Sequence, residues 1–175
     1  MVRCFVGIFV QAELKKYILS LQDELRKLDL DCKFVEEENI HISVSFIGDI
    51  EEEKADVLKQ ALGSLSDKLQ KFPASTGQIR LVPSEKFVRV IVIDILGEAI
   101  KNLQSDIVDK VGGDAKPPHI TLCRTRGPLK PSHVEMIKNV QTKEIQFTVN
   151  SVDLISSVVT RYGPTYTTIL RCNLA

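Results

Sequence analysis

The segment His41-Ile42-Ser43-Val44-Ser45-Phe46 has a partner further along the chain, His119-Ile120-Thr121-Leu122. Both read His-apolar-hydroxyl-apolar. A period of two is the signature of a β-strand, in which alternate side chains share a face. His41, Ser43 and Ser45 are therefore expected on one face, with Ile42, Val44 and Phe46 on the other. His119 and Thr121 repeat the first set, continued by Cys123, and Ile120 and Leu122 repeat the second. The apolar faces must be buried. The histidine and hydroxyl faces are left to line a groove. Brought together, two such strands supply two imidazoles and two hydroxyls around one point, a set suited to acid–base chemistry on a phosphate.

The surrounding chain repeats as well. Val2 to Val10 is almost continuously apolar and predicts a covered strand. Leu14, Ile18, Leu21, Leu25 and Leu28 then mark one face of an amphipathic helix, ended by Asp29 to Asp31. Cys32 to Val35 is a short strand, and Glu36-Glu37-Glu38-Asn39 is a polar turn into the first motif. Gly48-Asp49 closes the motif strand. Glu51, Glu52 and Glu53 begin a helix, where its dipole favours them, with Ala55, Leu58, Leu62, Leu65 and Leu69 inward. A strand is expected near Ser75 to Val82.

After the turn Pro83-Ser84-Glu85-Lys86 the order restarts. Val88 to Ile93 echoes Val2 to Gly7, and Ile100, Leu103, Ile107 and Val111 form a helix stopped by Gly112-Gly113. Lys116-Pro117-Pro118 holds an extended approach to the second motif. Pro131-Ser132 opens a helix, with Ser132 and Glu135 spaced as a capping box and Val134, Ile137 and Val140 inward. A strand follows from Glu144 to about Val152. Each half thus reads strand, helix, motif strand, helix, strand, which predicts a duplication about a pseudo-two-fold axis. The repeat halves run over about 1–82 and 87–153. A C-terminal hairpin over 154–173, turning at Arg161-Tyr162-Gly163-Pro164, is expected to pair back with the first half. The whole of 1–175 is read as one domain.

Composition bounds the function. Formal net charge is zero, so any anion must be held by a local patch. Cys4, Cys32, Cys123 and Cys172 form no close pair and sit among apolar residues, which argues against a disulfide framework or metal site and for a reducing cytoplasm. The chain opens directly on a strand, without a leader sequence, and no apolar run approaches the ~18 residues of a membrane span.

A lone histidine on a strand is commonly structural. Two of the three in this chain occupy the same place in the same pattern, which points to a shared site. The third, His133, falls in the first turn of a helix and is expected to have no role. Ser43 and Thr121 are candidate donors to phosphoryl oxygens. A serine nucleophile fits poorly, because residues i and i+2 of a strand stand parallel rather than aimed at one another. A zinc site from His41 and His119 lacks an evident third ligand, and Glu36, Glu37 and Glu38 read as a solvated turn. Arg124 follows the second motif but alternates away from His119, so it reaches the groove only if the strand bends. Arg126 also follows this motif and Lys116 precedes it, while Arg3 and Arg89 begin equivalent strands and are rim contacts or plain surface. Phe46, Tyr162 and Tyr166 are candidates to stack a base, with core packing the simpler expectation for Phe46.

His41-Ile-Ser43-Val and His119-Ile-Thr121-Leu resemble the paired signatures of the two-histidine phosphoesterase superfamily. The opening Val2 to Ile8, Ser45-Phe46-Ile47-Gly48, Pro118 to Arg124, Ser156 to Thr160 and Gly163-Pro164-Thr165-Tyr166 resemble its RNA 2′,3′-cyclic phosphodiesterase branch, also called 2′-5′ RNA ligase-like. A serine stands at 43 where a threonine is commoner, and the hydroxyl is kept. The resemblance implies a bilobal α+β fold of two antiparallel sheets with flanking helices and an active-site cleft between the lobes. It implies hydrolysis of RNA-terminal 2′,3′-cyclic phosphate to 2′-phosphate without metal or cofactor, by a monomer in the cytoplasm. His41 would be the general acid and His119 the general base, with Ser43 and Thr121 on the phosphate and Arg124, Tyr166 and Phe46 as further substrate contacts. The resemblance also implies reversible 2′-5′ RNA ligation, in which a ribose hydroxyl takes the place of water. Three other readings stand beside this one: an RNA-end-binding module without turnover, a metal-dependent phosphoesterase, and an enzyme acting on small cyclic nucleotide phosphates. An acid and a base both near the histidine reference of ~6.5 predict a bell-shaped rate profile around neutrality.

Overall fold

Both motifs fold as strands, and they lie side by side. The computed structural model describes residues 1–175. In order it has β1 (Val2–Phe9), α1 (Ala12–Arg26), β2 (Cys32–Phe34), a 3-10 turn (Glu37–Asn39), β3 (His41–Ile50), α2 (Glu52–Ser66), β4 (Phe72–Ser84), β5 (Phe87–Leu96), α3 (Glu98–Val111), β6 (His119–Thr125), α4 (Pro131–Lys138), β7 (Gln146–Val149), β8 (Ser151–Thr160) and β9 (Gly163–Asn173). The strands run β7-β4-β5-β6-β3-β1-β8-β9, with β2 added to β6. This is one continuous mixed α/β architecture. The two expected sheets are joined into one nine-stranded sheet.

The join is narrow. β3 and β6 meet through the single pair Ile42↔Ile120. Beyond it the two strands part, and other segments satisfy their edges: β2 pairs with β6 from Cys32↔Thr125 to Phe34↔Cys123, and Asp114 bridges to Phe46 on β3. Ile42 and Ile120 are both fully buried, and burying such a side chain contributes about 1.5–3 kcal/mol.

The pairing also crosses the two sequence halves. β4, from the first half, pairs with β5 and β7 beside the second motif, while β8 and β9 extend the sheet beyond β1. The strand expected from Glu144 to Val152 is two strands, broken at Asn150: β7 pairs with β4 and β8 with β1.

Each motif strand carries a bulge at its fourth residue. Along β1 the register steps from Val6↔Ser45 to Gly7↔Ser43, so Val44 is the extra residue. Along β5 it steps from Ile91↔Cys123 to Val92↔Thr121, so Leu122 is the extra residue. A bulge places one additional residue against its partner strand and reverses the alternation after it. Val44 and Ser45 are accordingly both buried and Phe46 is exposed; Leu122 and Cys123 are both buried and Arg124 is exposed. Strict alternation would have put Cys123 in the groove and Phe46 in the core, and the bulges correct both expectations; Ser45, though buried, still borders the cleft as expected.

The helices bury the stripes their periodicity marks: Leu14, Ile18, Leu21 and Leu25 on α1, and Ile100, Leu103, Ile107 and Val111 on α3. Each stripe also contains a glutamine. α1 packs on β6 and α3 on β3 and β4, so each helix reaches across to the other motif strand. On α4 the expected capping box is absent, because Pro131 is the first helical residue and Lys130 is the N-cap, two positions before Ser132. No helix is long and apolar enough to cross a membrane.

Candidate active site

The single pair Ile42↔Ile120 fixes the register of the two motifs. In an antiparallel ladder passing through it, His41 falls opposite Thr121 and Ser43 opposite His119. An ideal ladder would set the two histidines on the diagonal, about 7–8 Å apart between Cα atoms, but the pairing ends at this one pair, and His41 lines the cleft described below while His119 does not. His119 is near enough that its charge helps to hold the His41 pKa down.

Both imidazoles are oriented the same way. Nδ1 of His41 donates to the carbonyl of Asn39 at 2.7 Å, and Nδ1 of His119 donates to the carbonyl of Pro117 at 2.7 Å. A carbonyl can only accept, so each Nδ1 carries a proton and each Nε2 is left for chemistry. The acceptor in both cases sits two residues before the histidine. The extended approach that Pro117 and Pro118 enforce is thus what aims His119.

The environments differ. His41 stands among aromatic rings: Phe5 with its centroid at 4.9 Å, Tyr166 at 5.4 Å and nearly perpendicular, and Phe9 at 6.3 Å. Gly7 lies under it. A Cβ there would approach Cδ2 of His41 to 3.3 Å and Phe5 to 3.1 Å, so the bare backbone leaves the ring its place. Burial pulls the His41 pKa down to about 4, against the Asn39 carbonyl, with His119 and Arg124 adding to the fall. His119 is lowered too, first by burial, with Arg80 and Arg124 adding to it; the Pro117 carbonyl and Asp94 oppose. Asp94 is its neighbour across β5, held by Arg80 Nε at 2.7 Å.

A cleft of about 180 Å³ opens over His41 and is bordered by Ser43, Thr121, Arg124, Phe46 and Tyr166. All three further substrate contacts named from the sequence therefore lie on it, and Phe46 is 53% exposed rather than packed in the core. Ser45 turns in and donates to the carbonyl of Gly112 at 2.7 Å. Tyr162 is exposed at the hairpin tip, under the guanidinium of Arg161. Lys116 pairs with Asp114, Arg126 with Asp31 and Arg3 with Asp49, all at the surface. Arg89 stacks on Phe87. Glu36 borders the cleft instead of lying in a solvated turn, and its neighbour Lys33 reaches the carbonyl of Tyr162 at 2.6 Å.

Sequence reasoning missed Phe5, Asn39 and Lys33, which complete the cleft. Phe5 lies in a run that reads simply as a buried strand. Asn39 acts through its backbone carbonyl, which no residue type announces. No three His, Cys, Asp or Glu side chains gather as a metal-binding cluster.

Two imidazoles on neighbouring strands, each with a hydroxyl two residues on, are the pattern on which the resemblance to the two-histidine phosphoesterases rests. The family model described as LigT-like phosphoesterase matches residues 8–92. Two proteins named RNA 2′,3′-cyclic phosphodiesterase are similar over nearly the whole chain. The one from Methanothermobacter thermautotrophicus is 28% identical, with 95% of each chain covered, and the one from Aquifex aeolicus is 29% identical, with 96% of this chain and 95% of its own covered. The fold matches a crystal structure from Thermus thermophilus with a TM-score of 0.84 at 20% identity, covering 98% of this chain and 97% of that one. Apo LigT of E. coli matches with a TM-score of 0.78 at 20% identity, covering 99% and 98%. The chain is similar to the LigT-like phosphoesterases.

Proposed function

We propose that this protein hydrolyses RNA-terminal 2′,3′-cyclic phosphate to 2′-phosphate by two-histidine acid–base catalysis. The observation that carries the reading is the matched pair of imidazoles, each with Nδ1 fixed on a backbone carbonyl so that Nε2 is the nitrogen left to exchange a proton, on strands paired at Ile42↔Ile120. The names of the relatives from M. thermautotrophicus and A. aeolicus support the substrate class.

The step is an in-line displacement at phosphorus. His119 Nε2 takes a proton from water as its oxygen attacks, the bond from phosphorus to the 3′-oxygen breaks, and His41 Nε2 delivers a proton to that oxygen. Ser43 and Thr121 donate to the non-bridging oxygens. The product keeps its phosphate on the 2′-oxygen. No group in this sequence of proton transfers calls for a metal. A ribose 5′-hydroxyl in place of water follows the same course: His119 takes its proton, His41 protonates the leaving 3′-oxygen and a 2′-5′ linkage forms. The histidines exchange roles only when that linkage is cleaved back to the cyclic phosphate.

His41 is neutral in the free protein, because its pKa lies near 4. Its function as an acid depends on the substrate. A phosphodiester anion beside the ring offsets the cost of burying the imidazolium and raises the pKa when it binds. The aromatic surroundings exclude water and make that charge interaction stronger.

Phe46 and Tyr166 flank the cleft as stacking surfaces and Arg124 supplies a cation, which suits one nucleotide end; a duplex is far too wide for a cleft of about 180 Å³. Product analysis with RNA oligomers ending in 2′,3′-cyclic phosphate, beside free cyclic mononucleotides, tests the proposal. A 2′-phosphate end is expected. Binding without turnover, or formation of a 3′-phosphate, would overturn it.

A further inference from the structure

The helices that follow β1 and β5 carry the same local pattern. Ile18, Leu21, Gln22 and Leu25 on α1 correspond in spacing to Ile100, Leu103, Gln104 and Ile107 on α3. In both, a glutamine interrupts an apolar stripe that faces the protein. Gln22 is fully buried. Burying a carboxamide is unfavourable unless its hydrogen bonds are made.

Both glutamines spend their amides in the same way. Nε2 of Gln22 donates to the carbonyl of Leu122 at 3.0 Å and to that of Val35 at 2.9 Å. Nε2 of Gln104 donates to the carbonyl of Val44 at 2.8 Å and to that of Lys116 at 2.8 Å. Leu122 and Val44 are the two bulged residues, each the fourth of its motif. Val35 and Lys116 lie on the two segments that lead into the opposite motif. Each amide therefore ties the bulge of one motif strand to the approach of the other. Lys116 adjoins Pro117, whose carbonyl orients His119; Val35 precedes the turn that ends at Asn39, whose carbonyl orients His41.

We propose that Gln22 and Gln104 are paired positioning residues: from opposite helices, they hold the two motif strands in catalytic register across a seam of one residue pair. The proposal rests on the functional reading above. The seam alone is a weak guide, since Ile42↔Ile120 is the single direct pairing between β3 and β6. The amides supply four further links, and they act at the bulges that turn Phe46 and Arg124 into the cleft. Catalysis is sensitive to such placement, because a misplacement of about 1 Å by a remote change costs on the order of 100-fold.

Gln22→Met and Gln104→Met keep length and packing and remove the donors. The expected result is a fall in kcat of roughly 10–100-fold, with KM changed by no more than about 2-fold. A destabilised control is Thr76→Val, which breaks the buried hydrogen bond from Thr76 Oγ1 to the carbonyl of Lys143 far from the cleft; it should lower Tm and leave kcat unchanged. The chain has three histidines, so ring ¹⁵N resonances are readily resolved. Gln104→Met should shift the His119 Nδ1 resonance toward a mixture of tautomers. Unchanged His41 and His119 resonances in folded Gln variants would overturn the proposal, as would an equal loss of kcat in Thr76→Val. Should Gln22→Met fail to fold, Gln104→Met decides, since Gln104 is only half-buried. If the wild-type protein turns over no cyclic phosphate, the functional reading fails alone, and the ring resonances still decide whether the glutamines position the histidines.

Discussion

Nε2 of His41 lies 3.1 Å from the hydroxyl of Ser43. With Nδ1 protonated toward Asn39, this nitrogen is a lone pair, and Ser43 donates to it. An arriving phosphate oxygen competes for that hydroxyl, so binding frees Nε2 and supplies the charge that protonates it. On the proposed mechanism Ser43 changes partner during the cycle while His41 changes charge.

The histidines should therefore carry the reaction and the hydroxyls assist it. His41→Ala and His119→Ala are expected to lose at least ~100-fold in turnover of an RNA 2′,3′-cyclic phosphate, as a positioned acid or base contributes ~10²–10⁴-fold. Ser43→Ala and Thr121→Ala should lose less, and His133→Ala should match wild type. A substrate with sulfur in place of the 3′-oxygen separates the two roles, because a thiolate leaves without being protonated. It should rescue His41→Ala and not His119→Ala. Rescue of His119→Ala instead would exchange the assignments.

The rate profile should differ from a bell centred on neutrality. kcat/KM reports the free enzyme, in which both histidines titrate below their ordinary value. kcat reports the complex, in which the bound anion raises them. The kcat/KM optimum is expected at lower pH than the kcat optimum, and coincident optima measured on one substrate would count against phosphate binding beside His41.

Stability should fall with acid through the same residue. Unfolded His41 titrates near ~6.5 and folded His41 near 4. Between these values the unfolded chain binds more protons, so stability rises with pH across the window and is lost as pH drops from about 6.5 to about 4. The largest contribution is about 3 kcal/mol, taking 1.36 kcal/mol per pKa unit. Urea denaturation of His41→Asn should show a flatter pH dependence in this range than wild type.

Arg124 makes two contributions that one substitution separates. Its charge lowers the pKa of both His41 and His119, and its side chain borders the cleft. Arg124→Gln should raise KM by several-fold and also move the kcat/KM optimum to higher pH. A change in KM with an unmoved optimum would leave it a substrate contact alone.

Activity in excess chelator tests the absence of a metal step. Full turnover is expected, and its loss with recovery on adding a divalent cation would restore the metal-dependent reading.

Much of this site is legible in the chain because period two is so plain in His41-Ile42-Ser43-Val44 and His119-Ile120-Thr121-Leu122. The helices are equally plain, since Leu14, Ile18, Leu21 and Leu25 leave little choice of face. What fails is alternation beyond the fourth residue. A bulge is a relation between a strand and its neighbour, and Val44 and Leu122 look like any other apolar strand residue, so Phe46 and Arg124 are assigned to the wrong side. Sheet membership fails for a similar reason: nothing in Phe72 to Ser84 says that it pairs beside the second motif and not the first. Gln22 and Gln104 did leave a trace, as polar residues inside apolar helical stripes. Their matching positions in two helices are more informative than either alone.

The crossing of the two halves has a consequence for how the chain is put together. α1 and β2 serve the second motif strand, α3 serves the first, and β4 and β8 each lie beside the other half's opening strand. The halves are interlocked, like clasped hands, and neither holds a complete set of neighbours for its own histidine. A polypeptide severed at the exposed Glu85-Lys86 turn gives two pieces that each carry one imidazole and a row of unsatisfied strand edges complementary to the other's. Neither piece alone has a cleft, and hydrolytic activity would return only as the two are mixed and reassemble, with a dependence on the concentration of both.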